Sequence, residues 1–218
     1  MSKTSTKKQL ASNGIQVIDN FLSPSECNRI LFSIDHNLWY HSEVLNNDGC
    51  TVASKISHCR RSHSQYESTF NNVLSNSVVN IEDRLSNHFS FVKPRNFESW
   101  QMTQYGYGDE FEAHLDCLPK HSLLKGKRDK TLLLYLHSPK KGGETYFRAL
   151  NISLTPKQGR LVIWDNLLPN GNCNYAMIHA GQPVKQGIKV ILQTWQHQHI
   201  IEKSWRLYEK GKSGRTDG

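Results

Sequence analysis

The sequence lacks several features that would place it in a specialised class. No apolar run approaches the roughly 20 residues that a membrane-spanning helix needs, and no internal repeat is visible. The cysteines never occur in CxxC spacing, which argues against a zinc cluster and against a framework of paired disulfides. Their odd number, with no signal peptide, predicts a reducing compartment, so we expect a cytoplasmic protein. The cysteines are Cys27, Cys50, Cys59, Cys117 and Cys173.

The chain carries an excess of positive charge. The net charge is +8, and part of it lies in three lysines within the first eight residues and in five basic residues after residue 200. Such an excess is compatible with binding of nucleic acid, with binding of an acidic substrate, or simply with a soluble surface. Because no pattern of stacked aromatic and basic residues accompanies the charge, we interpret it as surface charge.

The first part of the chain is predicted to be helical. Residues 1–13 are polar and basic, and we expect a disordered tail. A short strand is predicted over 15–22, and Ser-Pro-Ser-Glu at 23–26 has the form of a capping box with proline at the first helical position. The polar stretch 41–65 reads as a loop. Apolar residues at helical spacing predict a second helix within 66–90.

From residue 97 onwards, short apolar runs alternate with glycine-containing turns. This pattern is typical of a β-sandwich or jelly roll. The length of 218 residues suits one domain. We predict that domain over 14–199, with a helical part (14–96), a jelly-roll core (97–199) and a C-terminal extension (200–218). The predicted strands are 98–105, 111–117, 131–137, 145–148, 152–154, 160–165, 176–180 and 188–196.

Within this β region, His114 and Asp116 are separated by one residue. On a strand, side chains at i and i+2 point to the same face. His179, from a later strand, would complete a two-histidine, one-carboxylate set of the kind that non-haem Fe(II) oxygenases use. Three ligands on one face of the metal leave the opposite face open for a cosubstrate and dioxygen.

Lys189 lies ten residues after His179, in an apolar strand. A buried lysine is costly unless it is paired, and the carboxylate of an anionic ligand would pair with it. The alternative is a lysine at a strand edge that extends to water. Trp195, six residues further along, would share its face and line the same cavity.

These residues form an ordered series with several further motifs. The motifs are Arg61-Ser62; Glu98, Gln101 and Tyr105; His114-Leu115-Asp116; Arg128 to Thr131 with Leu134-Tyr135-Leu136; Gly142-Gly143-Glu144-Thr145-Tyr146-Phe147; Gly159 to Ile163; and His179 to Val184 with Gly187, Lys189 and Trp195. The series resembles the prolyl 4-hydroxylase group of Fe(II)/2-oxoglutarate-dependent dioxygenases. The resemblance covers about residues 15–198.

The resemblance implies roles for some of these residues. It implies that His114, Asp116 and His179 bind iron. The residues that it places around 2-oxoglutarate are Tyr105, Tyr135, Thr145, Lys189 and Trp195. Among these, Lys189 and the hydroxyl of Tyr135 would hold the distal carboxylate. On the peptide side it points to Arg61 and Trp195, with the adjacent Arg60 as a competing assignment for Arg61.

The implied fold is a double-stranded β-helix, or jelly roll, with N-terminal helices packed on the major sheet. The implied reaction is hydroxylation of an aliphatic C–H bond, most often of a prolyl residue in a peptide or protein, with release of succinate and CO2. Fe(II), 2-oxoglutarate and O2 would be required, and ascorbate is a candidate reductant. Asp116 favours hydroxylation, because halogenating relatives carry a small residue there.

Three alternatives remain open at this stage. The substrate could be a free amino acid or another small molecule. A second alternative is oxidative demethylation of nucleic acid, although those relatives carry arginine where Lys189 stands and no base-flipping aromatic pair is evident. The third is a binding module without activity, against which the complete set of metal ligands argues.

Overall fold

The computed structural model describes residues 10–42, 44–45, 51–52, 59–117 and 126–201. Two α-helices lie wholly within these ranges, α1 (Pro24–Phe32) and α2 (Asn72–His88). Neither is long and apolar enough to cross a membrane. The strands are β1 (Ile15–Ile18), β2 (Tyr40–His41), β3 (Val44–Leu45), β4 (Thr51–Val52), β5 (His63–Tyr66), β6 (Gln101–Tyr105), β7 (Phe111–His114), β8 (Arg128–His137), β9 (Lys141–Gly142), β10 (Thr145–Phe147), β11 (Ile152–Leu154), β12 (Leu161–Asp165), β13 (His179–Gly181), β14 (Val184–Gln186) and β15 (Lys189–His197).

Two antiparallel sheets form the jelly roll. The major sheet has the order β1-β12-β8-β15-β6-β5-β2, and the minor sheet has the order β11-β10-β13-β7. One buried cluster draws side chains from both sheets, including Tyr135 and Ile191 from the major sheet and Phe147 from the minor sheet. The expected jelly-roll fold is therefore confirmed.

The two helices cover the outer face of the major sheet. Helix α1 begins with the predicted capping box: the Ser23 hydroxyl accepts from the Glu26 amide at 3.2 Å, and the Glu26 carboxylate accepts from the Ser23 amide at 2.8 Å. Helix α2 is capped by the Asn71 side chain, which accepts from the Leu74 amide at 3.0 Å. A second buried cluster joins both helices to strands of the major sheet, with Ile30, Leu74, Leu85, Leu134 and Leu192 among its members. This arrangement confirms that the helices pack on the major sheet.

The predicted strand over 176–180 is wrong in its first half. Residues Tyr175–Met177 form a 3-10 turn, and β13 starts only at His179. The turn is capped by the Asn174 side chain, which accepts from the Ala176 amide at 3.2 Å. Such local side-chain capping competes with extended structure, and apolar residues alone did not reveal it.

The N-terminal part contributes more to the sheet than the sequence predicted. Strands β1 and β5 pair with β12 and β6 and so extend the major sheet on both sides. Residues 10–13 of the predicted tail are also ordered, since Leu10 is buried against the cluster between the sheets. Residues 10–13 are therefore part of the folded domain. Residues 46–50 of the predicted loop lie outside the described residues.

Cys117 and Cys173 form a disulfide, which corrects the expectation that the cysteines are unpaired. The bridge joins the segment that follows β7 to the loop between β12 and β13. Lys127, on the other side of residues 118–125, donates to the Gly171 carbonyl of the same loop at 2.9 Å. Spacing along the chain carried no sign of this pair.

Replacing both bridge cysteines with serine should lower the free energy of unfolding by about 4 kcal/mol, because the bridge closes a long loop in the unfolded chain. The separation of 56 residues sets that estimate. Urea unfolding of the wild type and of Cys117→Ser/Cys173→Ser gives the difference directly. Cys59→Ser, at an exposed cysteine outside the bridge, is the matched control. Equal midpoints for the wild type and the double variant would show that the bridge does not form in solution.

Candidate metal centre

Two strands of the minor sheet bring the candidate metal ligands together. His114 is the last residue of β7, His179 is the first residue of β13, and the two are paired directly across the antiparallel ladder. Their ring centroids lie 4.3 Å apart. Asp116 lies two residues beyond His114 and past the end of the strand, so it does not reach this position by strand alternation as predicted.

The Asp116 carboxylate faces both imidazoles. Its Oδ1 lies 3.6 Å from His114 Nε2, and its Oδ2 lies 3.7 Å from His179 Nε2. One ligand atom from each of the three residues can be chosen so that all lie within 4.8 Å of one another. Asp116 and His179 are buried, whereas His114 is partly exposed at the mouth of the site.

The tautomer of each histidine is fixed by the backbone. His114 Nδ1 lies 2.8 Å from the Glu112 carbonyl oxygen, and His179 Nδ1 lies 2.9 Å from the Met177 carbonyl oxygen. A carbonyl oxygen only accepts, so Nδ1 carries the hydrogen in both rings. The lone pair on each Nε2 therefore points into the shared space, as metal-binding histidines require.

The charges of the site suit a divalent cation. Burial and the neighbouring His179 lower the pKa of His114 to about 3, so its imidazole is neutral at physiological pH. Burial alone would raise the pKa of Asp116, but His179, His114 and Arg128 outweigh it and lower that pKa to about 2. Two imidazoles and a carboxylate form a donor set that fits Fe(II).

Lys189 lies in the same cavity without a carboxylate partner. It is 2% exposed and forms no ion pair among the described residues. Its Nζ lies 4.0 Å from the centroid of the Tyr105 ring and donates to the Gly143 carbonyl at 3.2 Å. Burial lowers the pKa of Lys189 to about 7, with Glu144 acting to raise it and Arg60 to lower it further. An anion bound in the cavity could pair with this lysine.

The hydroxyl-bearing Thr145 lines the same cavity and contacts Tyr135, which is not itself among the lining residues. The Tyr135 hydroxyl and Thr145 Oγ1 are 2.6 Å apart, and both side chains are buried. Burial raises the pKa of Tyr135 to about 12, so its hydroxyl keeps its hydrogen. The cavity is lined by Tyr105, Phe111, His114, Asp116, Leu133, Thr145, Trp164, His179, Gly181, Lys189, Ile191, Gln193 and Trp195. Lys189 and Trp195 thus line one cavity, as their spacing indicated.

Comparison with known proteins agrees with this geometry. Residues 100–197 match the model of the 2OG-Fe(II) oxygenase superfamily. The chain is also 30% identical over 210 residues to prolyl 4-hydroxylase 2 of Arabidopsis thaliana, a match that covers 86% of this chain and 68% of that protein. The chain belongs to the prolyl 4-hydroxylase family of 2OG-Fe(II) oxygenases. As a member, it is a dioxygenase that uses Fe(II), 2-oxoglutarate and O2.

Other members of the prolyl 4-hydroxylase family align over shorter stretches or share mainly the fold. The human prolyl 4-hydroxylase subunit alpha-1 is 32% identical over 148 residues, which are 65% of this chain and 27% of the subunit. The viral collagen prolyl hydroxylase of Paramecium Bursaria Chlorella virus-1 superimposes with a TM-score of 0.64 at 24% identity, covering 86% of this chain and 97% of that one. A Trichoplax adhaerens prolyl hydroxylase, solved with a hypoxia inducible factor peptide fragment, superimposes with a TM-score of 0.60 at 16% identity. The match covers 99% of this chain and 94% of that one.

The two adjacent arginines have different environments. Arg61 is exposed, and its guanidinium is 2.6 Å from Glu110 at the surface. Arg60 is buried and lies 4.7 Å above the Phe111 ring, which itself stacks on His114 with centroids 3.7 Å apart. The arginine that faces the centre is therefore Arg60, and the position expected for Arg61 is not the one it occupies.

A charged network missed by the sequence analysis supports the opposite wall. Arg128 contacts the Glu98 carboxylate with both Nε and Nη2, at 2.5 and 2.8 Å, and its guanidinium lies 3.9 Å from the Trp195 ring. His197 Nε2 lies 2.6 Å from the same carboxylate, and its Nδ1 lies 2.9 Å from the Gly126 carbonyl. This network holds one face of Trp195 so that the indole lines the cavity. In the sequence, the signal for this network was Arg128, a charged residue at the start of the apolar strand β8.

Proposed function

We propose that this chain hydroxylates a prolyl residue of a peptide or protein at carbon 4. The observation that carries the proposal is the presence of three metal-ligand atoms within 4.8 Å of one another in the cavity that also holds Lys189. The names of the relatives support the choice of proline, and the Trichoplax structure shows that a neighbour in fold accepts a peptide.

In this proposal, His114 Nε2, His179 Nε2 and one oxygen of Asp116 hold Fe(II). When bound with 2-oxoglutarate and O2, the metal supplies the oxidising chemistry that inserts one oxygen atom into the substrate C–H bond and releases succinate and CO2. The protein provides position, charge and a cavity with little water. His114, which is neutral, and Asp116, which is ionised, already have the protonation states in which they bind a metal.

Lys189 is proposed to neutralise the distal carboxylate of 2-oxoglutarate, with the hydroxyl groups of Thr145 and Tyr135 beside it. A charge-assisted hydrogen bond of this kind is about twice as strong as a neutral one. It also fixes the orientation of the cosubstrate, which matters because a misplacement of about 1 Å can reduce a rate on the order of 100-fold.

The peptide side is proposed to involve Arg60 and Trp195. The guanidinium of Arg60, the phenyl ring of Phe111 and the imidazole of His114 form successive layers, so Arg60 lies one side chain away from a metal ligand. The Trp195 indole N–H is buried and has no hydrogen-bond partner among the described residues. The Trp195 indole N–H can therefore donate to a carbonyl oxygen of an extended peptide. Arg60 Nε donates to the Ser62 hydroxyl at 3.1 Å and Nη2 to the Thr103 hydroxyl at 3.3 Å, which hold the guanidinium over Phe111.

Arg60→Ala should raise the KM for a peptide about tenfold or more, the size of a buried arginine contact at an interface. The KM for 2-oxoglutarate should change much less. Arg61→Ala is the matched control, because its side chain is exposed and pairs with Glu110. Steady-state kinetics with each substrate varied in turn separate the two constants. A peptide KM raised only in Arg61→Ala would reverse the assignment.

The reaction itself is tested by mass spectrometry. The protein, loaded with Fe(II), is incubated with 2-oxoglutarate and, separately, with proline-rich peptides, the same peptides with alanine for proline, free proline, and a methylated oligonucleotide. We expect succinate release and the mass gain of one oxygen atom only with peptides that contain proline, and chromatography against hydroxyproline standards gives the carbon. Turnover stimulated by free proline or DNA alone would replace this proposal with one of the alternatives, which the relatives named above do not favour.

We further propose ascorbate as the reductant that maintains the iron in the ferrous state, on the basis of family membership. Omission of ascorbate should leave the first turnovers unchanged and shorten the linear phase of product formation. A progress curve that is identical with and without ascorbate would remove it from the scheme.

A further inference from the structure

Two buried polar side chains extend inward from Asp116. The Thr131 hydroxyl lies 2.7 Å from Asp116 Oδ2, and Asn166 Nδ2 lies 2.8 Å from the same hydroxyl oxygen. Thr131 is on β8 opposite Trp164 of β12, and Asn166 follows directly after β12. Thr131 and Asn166 are 1% and 0% exposed. Sequence analysis assigned neither residue a role.

The direction of these hydrogen bonds follows from the chemistry of the groups. An ionised carboxylate only accepts, so the single hydrogen of the Thr131 hydroxyl must point to Asp116. The hydroxyl oxygen then accepts, and Asn166 must present its NH2 group. As a result, Asn166 Oδ1 is buried without a hydrogen-bond partner among the described residues. Buried polar groups are usually paired. The unpaired amide oxygen therefore indicates that the hydrogen bond from Nδ2 to Thr131 determines the orientation of the Asn166 side chain.

The positions of the histidines do not by themselves select one oxygen of Asp116. Oδ1 is 3.6 Å from His114 Nε2, and Oδ2 is 3.7 Å from His179 Nε2. Either oxygen, or both, could therefore serve a cation. The Thr131 hydrogen bond occupies one lone pair of Oδ2 and removes this equivalence.

We propose that Thr131, oriented by Asn166, positions Asp116 so that it binds Fe(II) through a single oxygen, Oδ1. The protein then contributes three ligand atoms, and the remaining positions stay open for the cosubstrate and dioxygen. Thr131 and Asn166 are positioning residues, since both act through Asp116. The inference rests on the proposed metal site but not on the proposed peptide substrate.

The test measures metal binding without turnover. Mn(II) and Co(II) are titrated into metal-free protein by calorimetry, and the Co(II) absorption spectrum is recorded. Thr131→Val, which replaces the hydroxyl with a methyl group of similar shape, should weaken binding about 10- to 100-fold, as is typical for the loss of a partner of a metal ligand. It should also change the Co(II) spectrum. Thr131→Ser keeps the hydroxyl and should restore both affinity and spectrum.

Asn166→Ala should weaken binding in the same direction but have no further effect in a Thr131→Val background, because Asn166 acts through the hydroxyl. Ser77→Ala is the matched control: it removes a buried hydroxyl on α2 that donates to the Val73 carbonyl. Thr131→Ala is prepared alongside, and circular dichroism identifies variants that do not fold, so at least one hydroxyl-free protein is measured.

Wild-type affinity and spectrum in a folded hydroxyl-free variant would overturn the proposal, and additive effects would remove Asn166 from it. A loss of peptide hydroxylation with normal metal binding would count against the peptide proposal and not against this one.

Discussion

Asp116→Ala is expected to yield a folded protein that neither binds Fe(II) tightly nor hydroxylates. The substitution removes the anionic member of the donor set and leaves two imidazoles, whose Nδ1 atoms are held by backbone carbonyls. Loss of a partner of a ligand typically costs about 10- to 100-fold in metal affinity, so loss of the ligand itself should cost more than about 100-fold. Calorimetric titration with Mn(II) and an assay of succinate release measure the two effects.

The fold should tolerate this change. Arg128, the buried cation whose charge lowers the pKa of Asp116, keeps its bidentate partner Glu98. Asp83→Ala, at an exposed position on α2, is the control for removal of a carboxylate elsewhere. Asp116→Asn separates the loss of charge from the loss of size. Full hydroxylation by Asp116→Ala would reject Asp116 as a ligand.

Lys189→Ala should raise the KM for 2-oxoglutarate on the order of 10- to 100-fold while Mn(II) affinity stays within a few-fold of wild type. A hydrogen bond to a charged group contributes about 1.5–3 kcal/mol, and 1.4 kcal/mol corresponds to a factor of ten. Lys189→Met retains the apolar stem and should show the same loss, whereas Lys185→Ala, at an exposed position on β14, should not. An unchanged KM in both Lys189 variants would remove the residue from this role.

The pH dependence of the same constant provides a second test of Lys189. Its pKa of about 7 in the free protein means that the charged form declines as the pH rises above 7. Only the charged form pairs with a carboxylate, so binding above that pH requires proton uptake. The KM for 2-oxoglutarate should therefore rise by about tenfold per pH unit above pH 7, until the pKa of the bound state is reached. The profile of Lys189→Met should be flat over the same range.

The chemistry of the site was predictable from the sequence to the extent that it depends on residue identity and order. His114, Asp116, His179 and Lys189 could be selected because each has an uncommon side chain in an apolar strand pattern. The structure brings them into one cavity. Their convergence depends on the pairing of β7 with β13, which alternation within one strand cannot show.

The missed features depend on contacts between distant segments. Arg60 and Arg61 are adjacent, and only the pairing of Arg60 with Phe111 shows which of them lies inward. Similarly, Thr131 resembles any β-branched residue of a strand in the sequence. Its role depends on the pairing of β8 with β12, which brings Asn166 to its hydroxyl. Strands β9 and β14 comprise two and three residues, too short to produce a periodic pattern.

The bridge between Cys117 and Cys173 has a practical consequence for handling the protein. A single peptide bond separates the half-cystine at 117 from the carboxylate at 116, so opening the bridge frees the chain immediately beside the iron site. Thiol reagents added to protect ferrous iron would thus also act on the scaffold that holds it. Preparations made with dithiothreitol and with a non-thiol reductant should be compared before any loss of activity is attributed to the metal.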